Sequence, residues 1–392
     1  MTTLPLDGVT VVSLEQAVAA PFATRQLADL GARVVKIERP DGGDFARRYD
    51  TAVYGEASYF VWLNRSKESV VLDLKTAEGL EALDRLLGAA DVLVQNLAPR
   101  AAHRLGVDAA AVAKRHPWVV TCTISGYGTT GPWADRKAYD LLVQGETGLL
   151  SLTGTPDAPA KVGISVADIA AGMYAYSGVL AALYERANTG RVRAVEVSLF
   201  DALAEWLGAP AYYTAHAGRQ PARVGAEHAT IAPYGPFTAR DGRVVLLGVQ
   251  NEREWDRFCS TFLRRPELAG DTRFASNSAR VADRDTLNAL ISARFAELDA
   301  DAALAALRAC DVATAEMNTV TGLLDHPVLT GRHRWCDVAT PSGTVRAMLP
   351  PTDLDGARPR MDPVPALGEH TRAVLTELGY AADEIAKLTP AG

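Results

Sequence analysis

No C-x-x-C pair occurs in this chain. Its four cysteines, Cys122, Cys259, Cys310 and Cys336, stand far apart, which leaves a structural zinc site and a redox dithiol without support. Reduced thiols in a cytoplasm are the expected state. No G-x-G-x-x-G follows the first strand-like run and no G-x-x-x-x-G-K-[ST] occurs anywhere. The dinucleotide fingerprint and the P-loop are therefore both missing. So are G-x-S-x-G and H-E-x-x-H, and the seven histidines are scattered, so neither a hydrolase triad nor a metal centre is expected. An excess of positive charge is lacking too. The net charge is -7, against the basic face of a nucleic-acid binder, though it leaves room for a basic pocket. The opening MTTLPLDGVTVVSL has no basic segment ahead of a long apolar run. No signal peptide is expected, nor any stretch long enough to span a bilayer.

What is present is alternation. GVTVVSL (8–14) reads as a buried strand, RVVKIE (33–38) as the next strand, and SVVLDL (69–74), DVLVQNL (91–97) and WVVTCTISGYG (118–128) continue the series. Segments of helical spacing separate several of them, including PFATRQLADLGA (21–32) and TAEGLEALDRLLGAA (76–90). That pattern predicts a parallel sheet with helices on both faces. Ligands of such sheets bind at the carboxyl ends of the strands, which points to Arg39, Asn96 and the 125–140 loop. Texture changes after about residue 203. We expect a large Rossmann-like domain over 1–215, completed by 335–392, then a linker at 216–240 and a smaller α/β domain at 241–334. The final helix, GEHTRAVLTELG (368–379), is expected to pack back on the large domain.

GISVADIAAGMYAYSGVLAALYERANTG (163–190) is made mostly of small and apolar residues, with one carboxylate, Asp168, at its head. SVAD fits a capping box, with Ser165 as N-cap and Asp168 at the third helical position. A cap alone is one reading. The other is a nucleophile: a helix N-terminus favours the charged carboxylate, and a carboxylate in a dry pocket attacks activated acyl groups. Ala171, Gly172, Ala175 and Tyr176 share its face, small enough near the acid for a ligand or another chain to come close. Arg39, Arg104 and Lys137 are either solvated charges or a phosphate site.

Five stretches then carry a resemblance. LDGVTVVSLEQAVAAPFATRQLADLGARVVKIERPDGGD (6–44), LNRSKESVVLDLKTAEG (63–79), ADVLVQNLAPRAAHRLG (90–106), TISGYGTTGPWADRKAYDLLVQGETGLLSLTG (123–154) and LGEHTRAVLTELG (367–379) resemble the class III coenzyme A transferases, which include formyl-CoA transferase and the 2-methylacyl-CoA racemases. The resemblance covers essentially the whole chain. It implies an α/β subunit with a Rossmann-like large domain and a smaller α/β domain, paired as an interlocked homodimer. It puts the catalytic aspartate at Asp168. It implies coenzyme A contacts at Arg39, Leu72, Lys75, Asn96, Leu97, Arg104 and Lys137, with Gln16 and Val18 beside the carrier. Coenzyme A is then a substrate; no permanently bound cofactor, metal, nucleic acid or membrane is implied.

Two departures stand out. No Gly-rich loop of the kind that covers the site in some of these transferases is found; LLGVQNEREW (246–255) stands where the small domain begins. Val18 occupies a position that is polar in formyl-CoA transferase, which argues against the formyl/oxalate pair. The racemases of this family need a His and an Asp flanking the α-carbon. The His position falls in KAYD, where this chain has Tyr139, a poor base at neutral pH. The reading is a transferase, with Tyr139 donating a hydrogen bond and Asp140 orienting the site. RVGAEHATIAPYGPF and GVQNEREW look most like members acting on C4 and C5 dicarboxylates, with Arg223 or His228 as candidates for the distal carboxylate. A racemase, or an intramolecular transfer between the C1 and C4 carboxyls of a mesaconyl group, are the alternatives.

Overall fold

The computed structural model describes residues 4–388; the ends of the expected large domain, 1–3 and 389–392, lie outside them. The chain forms two units. One comprises Met1–Thr147, Val162–Gly208 and Gly331–Gly392, the other Gly148–Lys161 and Ala209–Thr330.

In the larger unit a parallel sheet is built from β1 (Thr10–Leu14), β2 (Arg33–Glu38), β3 (Lys67–Val71), β4 (Val92–Gln95), β5 (Val120–Ser125) and β6 (Val195–Ser198). The strand order is β3-β2-β1-β4-β5-β6, and every pairing is parallel. Sequence order reverses between β1 and β4. The carboxyl ends of these two strands therefore flank the crevice where open α/β sheets bind ligands. The edge strand β6 has no counterpart in the sequence reading: its four residues VEVS are too few to show a period.

Helices α1 (Ala19–Asp29), α2 (Ala77–Gly88), α3 (Pro99–Leu105), α4 (Asp140–Glu146) and α5 (Val166–Thr189) matter for the site. Strand side chains alternate between faces. Val12, Leu14, Val35, Ile37, Val70 and Leu72 pack in one core with Leu83, Leu86 and Leu87 of α2. The helix Thr371–Glu377 adds Val374 and Leu375 to that core; it is not the final helix as expected, since Ala382–Leu388 follows and adds Ile385. Thr371–Glu377 is also tied to β3, where the Val71 amide donates to Thr371 Oγ1 at 2.9 Å. The alternate positions on the same strands are Glu15, just past β1, Lys36 and Glu38 on β2, and Lys67 and Ser69 on β3, all buried.

Helix α5 corrects one expectation. At 24 residues with a hydropathy of 1.4 it is long and apolar enough, by length and composition, to cross a membrane. Its residues Ala167, Ala170, Ala171, Gly172, Ala175, Val179 and Ala182 are instead buried in the fold. A Cβ on Gly172 would sit 2.7 Å from the Ala19 carbonyl oxygen. The small face expected to admit a ligand or a second chain is thus filled by α1 of the same chain.

The smaller unit carries an antiparallel sheet of Tyr234–Thr238, Val244–Gly248 and Ala313–Glu316. Its own core is aromatic, with Phe237, Trp255, Phe258, Phe262, Phe274 and Phe295 buried. The first of those strands lies inside the segment expected as a linker; its Gly and Pro content (YGPFT) hides it from a propensity reading.

Candidate active site

The crevice between β1 and β4 opens into a cavity of about 500 Å³. Its wall includes Leu14 to Gln16 after β1, Ile37 to Asp41 with Gly43 and Asp44 after β2, Leu72 to Lys75 after β3, and Leu97, Ala101, Arg104 and Leu105 around α3. Of the residues expected to hold coenzyme A, Gln16, Arg39, Leu72, Lys75, Leu97 and Arg104 line this one cavity. Asn96 stands behind Gln16: its Oδ1 accepts from the Gln16 amide at 3.0 Å and its Nδ2 donates to the Gln16 carbonyl at 2.9 Å. Arg39 donates to the Gly43 carbonyl at 3.0 Å. The side chains of Lys75 and Arg104 belong to exposed residues. Three of the expected residues are not on the cavity wall: Asn96 lies behind it, Val18 is buried at the start of α1, and Lys137 is exposed in the loop ahead of α4.

Beneath the cavity lies a buried ion cluster that the sequence reading missed. Lys67 Nζ donates to Glu15 Oε1 at 2.6 Å, and Lys36 Nζ contacts Asp44 Oδ2 at 2.8 Å and Glu15 Oε1 at 3.3 Å. Glu38 accepts from Arg47 at 2.7 and 2.8 Å and from Ser69 at 2.6 Å. Burial works against each charge, and the neighbours decide the outcome. It would raise Glu15, but Lys67 and Lys36 hold the carboxyl below its ordinary value. Glu38 is held at about 2 against burial, chiefly by Arg47 and Lys36. Lys36 is desolvated but pushed up to about 12 by Asp44, Glu15 and Glu38. At Lys67 desolvation wins and pulls the ammonium down to about 8. The sequence signal was the period-two placing of charge in KIE and KES.

Asp168 sits in the first turn of α5 with Ser165 at the N-cap, but Ser165 makes no side-chain cap. Its hydroxyl faces Tyr59 Oη at 3.4 Å instead. The cap comes from Asp140, whose Oδ1 accepts from the amides of Ala167 at 2.7 Å and Asp168 at 3.4 Å. Asp140 Oδ2 takes a hydrogen bond from Gln144 Nε2 at 2.6 Å, and Gln144 Oε1 accepts from the Val162 amide at 3.0 Å. The expected lowering of the Asp168 carboxyl is reversed. Burial, with the nearby Asp140 charge, pushes it up to about 7. Desolvation and a like charge outweigh the helix N-terminus.

Tyr139, immediately before α4, is exposed. Its chain position follows from a close approach: a Cβ on Gly126 would meet Ala138 Cβ at 2.2 Å, so the loop returns to the end of β5. Tyr49 was not foreseen. Burial, then the Asp44 and Asp168 charges, push its phenol up to about 12, with Tyr139 and Tyr59 also acting on it. Its ring meets Tyr59 edge-on at 5.7 Å. Tyr49 thus responds both to a carboxylate of the cavity wall and to Asp168. The Asp168 carboxyl, poised near neutrality in the same unit as a cavity with basic residues on its wall, is equipped for nucleophilic or proton-transfer chemistry on an anionic ligand.

Arg223 and His228 belong to the smaller unit. Arg223 donates to the carbonyls of Thr155 and Pro156, both at 2.9 Å. The His228 ring stacks on Tyr234 at 5.3 Å, and its Nδ1 accepts from the Thr230 amide at 3.2 Å. Arg223 therefore ties its segment to the 155–156 loop, and His228 braces its own segment.

Known proteins of the same kind bear on this geometry. Residues 6–371 match the family described as CoA-transferase family III. The succinate–glutarate CoA-transferase of Agrobacterium fabrum is 34% identical, over 95% of this chain and 96% of that protein. An acetyl-CoA:oxalate CoA-transferase of Acetobacter aceti is 37% identical over 73% of the chain and 74% of its own length. A crystal structure of a CAIB/BAIF family protein from Brucella suis superposes with a TM-score of 0.84 at 36% identity, covering 96% of this chain and all of that one.

Proposed function

The chain belongs to CoA-transferase family III and is a class III CoA transferase, and on that premise we propose that it moves coenzyme A reversibly between C4 and C5 dicarboxylic acids through covalent intermediates on Asp168. The observation that carries this reading is the pairing, in one unit, of Asp168 with a cavity lined by Arg39, Lys75 and Arg104. The substrate class is supported by the relative from Agrobacterium fabrum, whose name pairs succinate with glutarate.

The Asp168 carboxylate attacks the thioester carbonyl carbon of the donor acyl-CoA. The C–S bond breaks, leaving a mixed anhydride on Asp168 and the CoA thiolate. The thiolate attacks the aspartyl carbonyl carbon, the donor acid departs as its carboxylate, and an aspartyl-CoA thioester remains. The acceptor carboxylate attacks that thioester and displaces the thiolate again. The thiolate then attacks the acceptor's acyl carbon, forming the new acyl-CoA and returning Asp168. No proton or electron is gained or lost overall, and one difficult exchange becomes four acyl transfers. Tyr139 supplies a hydrogen bond to developing negative charge, and Asp140 holds the first turn of α5. Arg39, Lys75 and Arg104 meet the phosphates of the carrier. Two copies of the chain form the working enzyme, in which exposed apolar residues such as Leu141, Leu142 and Tyr184 are covered.

The test is a panel of acyl-CoA donors against carboxylate acceptors read by mass spectrometry, with succinate, glutarate, mesaconate and oxalate as acceptors. Exchange between succinyl-CoA and glutarate, with an enzyme–CoA thioester adduct that borohydride reduces to an alcohol at Asp168 with release of CoA in wild type and that is missing in Asp168→Ala, supports the reading. An adduct retained in Asp168→Ala refutes it, and preference for oxalate moves the substrate class. Analytical ultracentrifugation checks the dimer.

A further inference from the structure

The turn that joins β1 to α1 is held from outside itself. Ala17 lies in the left-handed region at φ 63°, which a residue with a Cβ adopts only when its surroundings enforce it. The next residue, Val18, is the N-cap of α1 and offers no side-chain cap. What holds the Ala17 amide is Asp44 Oδ1, at 3.1 Å. The same oxygen accepts from the Ala46 amide at 2.9 Å, and Oδ2 takes Lys36 Nζ at 2.8 Å.

Asp44 is itself tightly placed. Its amide donates to Glu38 Oε2 at 2.9 Å. A Cβ on the preceding Gly43 would lie 2.4 Å from that same oxygen, so only glycine lets the loop come so close. One residue before the turn, Glu15 is gripped by Lys67, Lys36 and Thr24. On the other side, Gln16 is locked to Asn96 in both directions. Glu15, Gln16 and Asp44 all line the cavity. Asp44 also caps the short helix Phe45–Arg48; the Tyr49 ring that follows meets Tyr59 at 5.7 Å, and Tyr59 Oη lies 3.4 Å from Ser165 Oγ at the N-cap of α5, which sets the Asp44 part of the wall toward Asp168.

We propose that Asp44 is a positioning residue for the acyl transfer: it holds the Gln16–Ala17 turn in the shape that the cavity wall presents to the acyl end of the bound thioester. The inference rests on the transferase reading of Asp168. The buried lysines serve it by anchoring Glu15 and Asp44 from below, which fixes the turn at both ends. Misplacement of such a wall by about 1 Å costs roughly 100-fold in rate when it disturbs the attack geometry. Binding of the carrier through residues farther along the cavity is left intact.

The experiment is steady-state kinetics of the full-length enzyme with succinyl-CoA and glutarate, together with borohydride reduction of the enzyme–CoA adduct. Asp44→Ala is expected to lower kcat by about 10- to 100-fold while KM for succinyl-CoA stays within about threefold. Asp44→Asn keeps an oxygen for the Ala17 amide and is expected to recover most of that loss. Folded Asp44→Ala with wild-type kcat overturns the proposal. So does an Asn variant that falls as far as Ala, because charge rather than placement would then be at work. If Asp44→Ala does not fold, Ala17→Gly loosens the same turn directly; lower kcat at unchanged KM supports the proposal, and unchanged kcat overturns it. Wild type that neither exchanges CoA nor forms the adduct refutes the transferase reading and this inference with it. An active wild type beside an unaffected Asp44→Ala refutes this inference alone.

Discussion

Asp140 caps the helix that carries Asp168. One oxygen of Asp140 accepts the amides of Ala167 and Asp168, so the group that orders this turn also sets a negative charge against the Asp168 carboxyl. Order and electrostatics are coupled in one side chain. Asp140→Asn separates them, since the amide oxygen still accepts while the charge is gone. The pH–rate profile of kcat/KM is expected to keep its shape and move its acid limb to lower pH. A limb that stays in place would leave burial as the whole cause.

The sign of the Asp168 displacement makes a stability prediction. Its ordinary value is 3.8 and the fold raises it to about 7. Between those values the folded state holds more protons than the unfolded chain, so this group's contribution falls as pH rises through the window. Asp168→Asn removes the titration. We expect the variant to gain on the order of 1–3 kcal/mol over wild type near pH 8 and little near pH 4, measured by urea unfolding at both values. The same variant is expected to lose at least about 1000-fold in turnover.

Arg104→Ala removes an exposed cation from the cavity wall. KM for acyl-CoA is expected to rise by about 5- to 30-fold with kcat nearly unchanged. The loss should shrink as ionic strength is raised, because exposed charges are screened. Titration at two salt concentrations checks both parts.

Gly172→Ala tests the contact of α5 with α1. The added methyl meets the Ala19 carbonyl oxygen and the Phe22 ring, and overpacking of this kind costs about 1–3 kcal/mol. Thermal unfolding is expected to drop by several degrees. An unchanged midpoint would show that α1 gives way.

The alternation of strand and helix was legible because RVVKIE and its neighbours are short apolar runs between helical spacings. The crevice residues followed, since strand ends could be counted. The charge layer beneath was hidden: Lys36 and Glu38 alternate with Val35 and Ile37, and a run read for hydrophobicity alone does not reveal that its two faces differ. The cap on α5 was misassigned for a related reason. Ser165 stands where a local cap belongs, but the acceptor comes from Asp140, distant in sequence, and only the fold brings it there. Tyr49 and Tyr59 lie in a stretch, RRYDTAVYGEASYFVW, that offers no periodicity to place them.

The docking of the helix Thr371–Glu377 on β3 has a temporal consequence. Synthesis proceeds from the N-terminus, yet the Val71 amide on β3 finds its partner at Thr371, and the Ser69 amide finds the His370 ring. Val374 and Leu375 close the same layer. The nascent sheet therefore leaves the ribosome with an apolar face open until almost the whole polypeptide has been made. Such exposure during translation is where chaperones engage and where aggregation begins, so a slow or interrupted final stretch of translation endangers the first-made part of the protein.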